Sequence, residues 1–577
     1  MKYLWQKLFA LAGEVFFLLL ITIIKFQFKT IAILKNTLFP VFNRTKPFLV
    51  KSSTFMLIGS ILSVAWFQKI AGAQSFTENA TSRQAVLQTA QAAGEDAYKW
   101  AVKSKEQPTA QPAAAIVEAS QKTTYFQRAR SYATHPESDP PRYVRNLAKT
   151  EYEIFKDLNW LDAGLDHRTR FELRDGDIRR NNLLTDYPFL LRTRAYVGIR
   201  NILDPFRMAV EFQDSRGYNS EFPRDNRDWN AFELIQTYGE LYFKDALGKD
   251  DLGNNRPIRI RGGRMAWEAV DRRMLGINQW RNTTNNFEGF RVTFGQEAND
   301  WEFDAWGMQP VIRDIDEFDG RNKSQWFYGA VGHWRKWSDV ITLQPYFMGL
   351  KQDGREGRQP ERDIYSPAIR AYGVLPNADI DFDLGAIYQF GRDNGLKKSA
   401  WSYLLEFGYS FKHDWKPRLS AFYAFVSGDR DPNDNVDNRF ERFFGFARPW
   451  SPDDYIVMEN VKAPKLVFEF SPHKDISIDG GYSWFWLASD TDRFNNLLNI
   501  STPNPNNRDR TGESGDFIGQ SINARVNYKL ASLVDTTIGY SHFISGEFTK
   551  NRQMAALGES RDSSNFFYVE VSMRAFK

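Results

Sequence analysis

The chain has 577 residues, 15% of them aromatic, no cysteine and a mean hydropathy of −0.51. So hydrophilic an average excludes a bundle of transmembrane helices beyond the N-terminus, and the missing thiols exclude disulfide frameworks, thiolate metal sites and cysteine nucleophiles. The formal charge of +4 hides an asymmetry: residues 1–73 carry nine Lys or Arg against one acid, which leaves −4 for the rest, so any attraction for anions must come from where charges sit.

Two apolar runs open the chain. The first, LFALAGEVFFLLLITII, is interrupted by Glu14; the second, STFMLIGSILSVAWFQKIAGAQS, follows Lys46 and Lys51 and ends on Ala71-Gly72-Ala73. The second reads as a secretory signal cut after Ala73, making residues 1–73 a leader; an N-terminal anchor helix is the alternative. Residues 74–150 are rich in Ala, Gln and Ser. They read as a periplasmic linker with one short helix around 83–104, or as a small helical cap or plug.

From about residue 160 the pattern has period 2, so successive side chains take opposite faces of a strand. LDHRTRFELR puts Leu165, His167, Thr169, Phe171 and Leu173 opposite Asp166, Arg168, Arg170, Glu172 and Arg174. LRTRAYVGIR sets Leu191, Thr193, Ala195, Val197 and Ile199 against Arg192, Arg194, Tyr196 and Arg200. The alternation recurs in FRMAVEFQ, where Arg207 and Glu211 share the polar face, and in FRVTFG, where Arg291 does. It continues in IDFDLGAIYQF, YLLEFGYSF and SINARVNYK. Loops dense in Asp, Asn, Gly, Arg and Pro separate these runs. Many such strands behind a signal peptide predict an all-β, transmembrane antiparallel barrel over residues 151–577. About 10 residues per strand makes 18 strands the expectation and 16 the alternative. The apolar edge then meets outer-membrane lipid, and the arginine edge meets water.

Other chemistry is poorly supported. DRDPNDN places Asp429, Asp431 and Asn433 at alternating positions, as in a calcium loop, but it lacks the turn glycine and has Phe440 at position twelve. A solvated acidic loop is the simpler reading, with calcium as the only cofactor considered. The six histidines form no close pair, and no HExxH is present. His542 and Ser545 face opposite sides of a strand, which disfavours a hydrolase. No phosphate-binding glycine motif is present, and a net-acidic chain disfavours nucleic acid as a partner.

One block carries a resemblance. GRMAWEAVDRRMLGINQWRNTTNNFEGFRV, residues 263–292, resembles the signature of the alginate export family of outer-membrane proteins: Gly263-Arg264, then Arg272 or Arg273 before Gly276, then Trp280, then Phe287-Glu288-Gly289 with Arg291. YAFVSGDRDPNDNVDNRFERFFG, WFWLAS at 484–489 and the closing FFYVEVSMRAF are also similar. Met265 stands where the family usually has Gln, and the chain ends Phe576-Lys577 instead of on the aromatic. The resemblance implies a non-enzymatic outer-membrane channel. Through its electropositive constriction an acidic exopolysaccharide leaves the cell, with periplasmic secretion proteins as possible partners. The expected pore arginines are Arg168, Arg170, Arg192, Arg194, Arg200, Arg207, Arg264, Arg272, Arg273 and Arg291, tempered by Glu172, Glu211 and Glu240. Arg264 joins Arg259 and Arg261 on the lumen side only if Gly262-Gly263 makes a bulge. The rival expectation is a general anion or acidic-sugar porin working inward.

Overall fold

The computed structural model describes residues 124–577, apart from 126–127, 132–134, 181–182, 355–358, 377, 446–452 and 495–506. The expected leader, its cleavage point and the helix around 83–104 lie outside the described residues.

Eighteen antiparallel strands close into one barrel. In chain order they are β1 Leu161–Asp175, β2 Phe189–Ile199, β3 Phe206–Tyr218, β4 Asn230–Phe243, β5 Ile258–Met265 and β6 Phe287–Gly295. Then come β7 Trp301–Ile312, β8 Gln325–Trp334, β9 Ile341–Gln352, β10 Arg362–Leu375, β11 Ile380–Asp393 and β12 Leu396–Ser410. The last six are β13 Arg418–Val426, β14 Val461–His473, β15 Ile476–Trp486, β16 Phe517–Ala531, β17 Val534–Ser545 and β18 Ser563–Arg574. Each strand pairs with its sequence neighbours. β18 returns to β1 in a register running from Asp166 opposite Arg574 to Asp175 opposite Asn565. Closure matters because hydrocarbon offers no partner to a strand edge.

The alternation read from sequence sets the two faces. On β12, Tyr403, Leu405, Phe407 and Tyr409 are exposed outward while Ser402 and Glu406 are buried inward. On β1, Asp166, Arg168, Arg170, Glu172 and Arg174 are all buried inward. The last strand keeps the same rule: Tyr568 and Phe566 are buried, while Val569 and Val571 lie opposite Phe171 and Thr169 of the outward face. Phe576 lies beyond the strand, edge-on to Tyr152 and Phe155, so its parity places no constraint on β18.

Both chain ends of the barrel lie at the rim with the shorter connections, such as residues 474–475 between β14 and β15. Short turns mark the periplasmic rim. The opposite rim carries the long connections 266–286, 427–460 and 487–516, the last followed by β16 and β17 and then helix α1, Glu547–Leu557.

Two long loops fold inward. Leu275 bridges Phe444 in parallel, Gly276 N–H donates to the Phe444 carbonyl at 3.1 Å, and Phe444 N–H donates to the Met274 carbonyl at 3.2 Å. Around this junction the outer ends of the strands turn apolar on the inside. Met265, Phe287, Met308, Phe327 and Met348 are fully buried there, and Phe444 packs edge-on against Phe287 and Phe327, each at 5.1 Å. The lumen therefore holds an apolar core at one end and a polar bore below it.

The loop crossing depends on a missing side chain. A Cβ at Gly445 would sit 1.5 Å from the Arg273 carbonyl oxygen, and this backbone contact has no room to yield. Gly445→Ala should undock the 266–286 loop while leaving the barrel intact. Limited trypsinolysis of membrane-embedded protein should then cut faster after Arg272 or Arg273, with an unchanged urea midpoint for the barrel. Unchanged cleavage would rule out the crossing.

Candidate functional site

The bore is built first from the inward faces of β1 and β2. There Arg168 and Arg192 lie directly opposite each other, and both point at the infolded loop 266–286. Arg168 donates to the carbonyls of Gln279 and Arg281, each at 2.8 Å, and to Asn282 Oδ1 at 3.2 Å. Arg192 donates to the Gln279 carbonyl at 3.1 Å, and Arg170 to the Trp280 carbonyl at 2.6 Å. Arg170 also lies 4.2 Å over the Trp280 ring. A loop packed inside a barrel loses water from its carbonyls, and guanidinium forks supply the donors. Asn282 completes the attachment by donating to the carbonyls of Leu191, Arg216 and Asp228.

The remaining expected arginines divide by location. Arg194 pairs with Asp166 at 3.0 Å, and Arg200 pairs with Asp162. Arg207 sits near the periplasmic rim, 2.9 Å from Asp204 and 3.5 Å over the Tyr242 ring. Arg291 faces inward between Asp304 at 2.9 Å and Asp139 at 3.4 Å. Arg272 and Arg273 are on the infolded loop itself, 3.9 Å from Glu268 and 2.6 Å from Asp271 respectively.

Arg264 departs from the expectation. The β4–β5–β6 register runs unbroken through Gly262-Gly263, so no bulge turns Arg264 inward. It takes the outward parity at the outer end of β5, 2.6 Å from both Glu233 and Glu288. Among the expected carboxylates, Glu172 joins Arg170 at 2.7 Å to Arg174 at 2.6 Å. Glu240 binds Arg261 at 2.7 Å, and Glu211 accepts the Tyr143 hydroxyl at 2.6 Å. The loop residues considered for calcium do not converge. Asp431 accepts Asn433 N–H at 2.9 Å in a local turn, while Asp429 faces Arg508 at 3.7 Å. Among the described residues no group of three or more His, Asp or Glu side chains is placed to hold a metal ion.

Among the described residues, two sizeable chambers lie in the bore. The larger, about 1080 Å³, is lined from β2 to β10 by nine arginines, among them Arg259, Arg261, Arg291, Arg335 and Arg370, against seven carboxylates. The smaller, about 460 Å³, is lined by seven arginines, including Arg168, Arg192, Arg194, Arg525 and Arg574, against four carboxylates. In these two linings arginines outnumber carboxylates, although the chain beyond residue 73 is net acidic.

Sequence reading missed one set of lumen residues entirely. Glu137, Asp139 and Arg142 lie within the stretch read as a linker or a small helical cap or plug, and all three line the larger chamber. Asp139 sits 2.9 Å from Arg261. Withdrawal from bulk solvent inside the barrel pushes its carboxyl up, but the guanidiniums of Arg261 and Arg291 outweigh this and hold it well below the usual carboxylate range. Glu268 is the opposite case: burial pushes its carboxyl up despite Arg272. The only sequence signal was a charged cluster among prolines, HPESDPPRY, which has no period to place it against a wall.

The model of the family described as "Alginate export" matches residues 159–561. The chain belongs to the alginate export family. Alginate export proteins are outer-membrane porins, and with the closed barrel this places the protein in the bacterial outer membrane as a channel of polysaccharide export. Family and fold point to transport instead of catalysis. A search of curated proteins finds no match. Solved structures similar to this chain include three from Pseudomonas aeruginosa. OccK2 (OpdF) is 13% identical with a TM-score of 0.46, covering 72% of this chain and 98% of its own. OccK8 (OprE) is 12% identical at 0.47 with the same coverage. The outer membrane protein opdK is 9% identical at 0.47, covering 72% and 99%.

The Glu172 bridge generates a test. Both Arg170 and Glu172 are buried, and removing one partner of a buried pair costs about 3–5 kcal/mol. Glu172→Ala should lower the unfolding free energy in lipid vesicles by about 3 kcal/mol or more. A change below about 1 kcal/mol would mean that water in the bore screens the pair as it screens surface pairs.

Proposed function

We propose that the channel conducts an anionic exopolysaccharide outward, by passive diffusion guided by lumen arginines, without making or breaking a covalent bond. The supporting observation is the arginine excess in both chambers, which extend to the periplasmic ends of the strands. A polyuronate bears one carboxylate per sugar. Arginine stays charged and can fork two N–H groups onto each carboxylate.

The carboxylates among these arginines serve conduction. One opposite-charge contact at 4 Å contributes about 1 kcal/mol in water and about 4 at intermediate dielectric. Several unopposed contacts would hold a polymer in place, whereas transport needs binding weak enough to leave. Asp166, Glu240 and Asp304 each neutralise part of an adjacent guanidinium, so the field along the bore falls into steps. Alginate is the polymer that the family name supplies. The lining arginines suit an anionic polymer and do not favour one uronic acid over another.

Inward passage of small anions is the competing use of the same bore. Gene deletion separates the two: loss of secreted polymer supports export, and poor growth on a small anionic solute supports uptake. In planar bilayers, replacing Arg192 and Arg194 with Glu should abolish or reverse anion preference. The paired Gln variants serve as controls for the loss of the Arg192–Gln279 contact. Unchanged selectivity in the Glu variant would remove both residues from the conduction path.

A further inference from the structure

Described residues ahead of β1 lie inside the bore. Arg128 and Ala129 line the larger chamber, and Ser131 Oγ donates to Asp383 on β11. Glu137 N–H then donates to Glu268 Oε2 at 2.7 Å, which joins the segment to the infolded loop. Tyr143 is buried and donates to Glu211. The chain leaves where Arg145 and Asn146 pair with Ala163 and Asp162 at the periplasmic end of β1.

Three observations define what this strap does. First, Glu137 and Arg142 line both chambers, so the strap divides the bore. Second, residues 135–142 are attached through polar contacts, and His135, Pro136, Ser138, Asp139 and Arg142 remain exposed within the lumen. Third, the Asp139 carboxylate lies between Arg261 at 2.9 Å and Arg291 at 3.4 Å. Those two guanidiniums occupy opposed positions on β5 and β6.

We propose that residues 135–142 are an internal counter-ligand: Asp139 fills a carboxylate subsite made by Arg261 and Arg291, and an acidic polymer entering from the periplasm takes its place. This rests on the reading of the cargo as a polyanion. The exchange replaces one carboxylate by another while Glu240 and Asp304 keep their own contacts with Arg261 and Arg291, so the net charge of the subsite is unchanged. Displacing Asp139 with no replacement would leave an excess of confined positive charge, which is costly. A ligand shifts such an equilibrium only through differential affinity, and a polymer offers many carboxylates at high effective concentration. Small anions lack that advantage. The strap therefore keeps the bore divided until polymer arrives, and its anchors at Arg145 and Asn146 return it afterwards.

Because the chain has no cysteine, spin labels can be placed cleanly. Ser138→Cys with Lys474→Cys, the latter in a periplasmic turn, reports the strap-to-rim distance by double electron–electron resonance on the full chain in lipid. Polygalacturonate oligomers should shift that distance distribution, and neutral dextran should not. Separately, Asp139→Asn should raise mean conductance in potassium chloride severalfold without any polymer present. An unmoved label at an oligomer concentration that reduces current would overturn the proposal, as would wild-type conductance in Asp139→Asn. If polygalacturonate leaves wild-type current untouched, the cargo reading fails, and the polymer-free conductance still decides whether the strap divides the bore.

Discussion

A strand crossing hydrocarbon must have every backbone N–H and C=O bonded within the wall, and the seam between β1 and β18 is where this chain meets that demand. The seam fixes which residues of β1 face inward, because a one-residue slip would send Asp166, Arg168, Arg170, Glu172 and Arg174 into lipid. Its register also brings Glu570 opposite Arg170, so the last strand to be made supplies a carboxylate to the first, 3.3 Å away. Closure of the backbone and neutralisation of the arginine row are thus one event.

Once the wall is closed, the interior must be filled. An 18-stranded barrel is too wide for its own side chains to span, and here loop backbone occupies part of the space. That choice creates unpaired carbonyls in a confined volume. Arg168, Arg170 and Arg192 resolve it by donating to residues 279–281. These arginines look from sequence like a ligand-binding ladder, but much of their donor capacity is spent on the protein's own loop. The residues with more freedom to meet cargo are those held by side-chain carboxylates instead of loop carbonyls, such as Arg194, Arg261 and Arg291.

The barrel was legible because its wall obeys one rule. β12, with Tyr403, Leu405, Phe407 and Tyr409 outward and Glu406 inward, could be read from period alone. β8 could not. Trp326 and Trp334 face outward while Phe327 and Val331 are buried inward, so apolar residues stand on both faces and the alternation disappears. The reason is the infolded pair of loops: Phe327 packs against Phe443 and Phe444, contacts that no local pattern announces. The strap was hidden for the same reason. Loop and strap positions are fixed by tertiary partners, among them Glu268 for Glu137 and Arg261 for Asp139, and proline-rich stretches without periodicity look alike whether they lie in water or inside a bore. Arg264 shows the converse limit. Two adjacent glycines permit a bulge without requiring one, and the ladder ran straight.

The apolar cap and the charged bore set different conditions for opening. At the outer end, Phe287, Phe327 and Phe444 exclude water, and separating them exposes aromatic surface to a hydrated channel, where no lipid can cover it. That junction has a hydrophobic cost for every opening. In the middle of the bore, a guanidinium released by one carboxylate can be taken by another at little net cost. On the proposed function, a polyanion advancing from the periplasm meets exchangeable contacts first and the apolar junction last. With this order, cargo already committed to several arginines bears against the outer loops, whereas an ion passing alone meets the junction without that accumulated binding. Directionality in such a channel needs no external energy source at the barrel. On the proposed function, net direction follows from polymer supplied on one side, and the order of contacts sets the rate of passage alone.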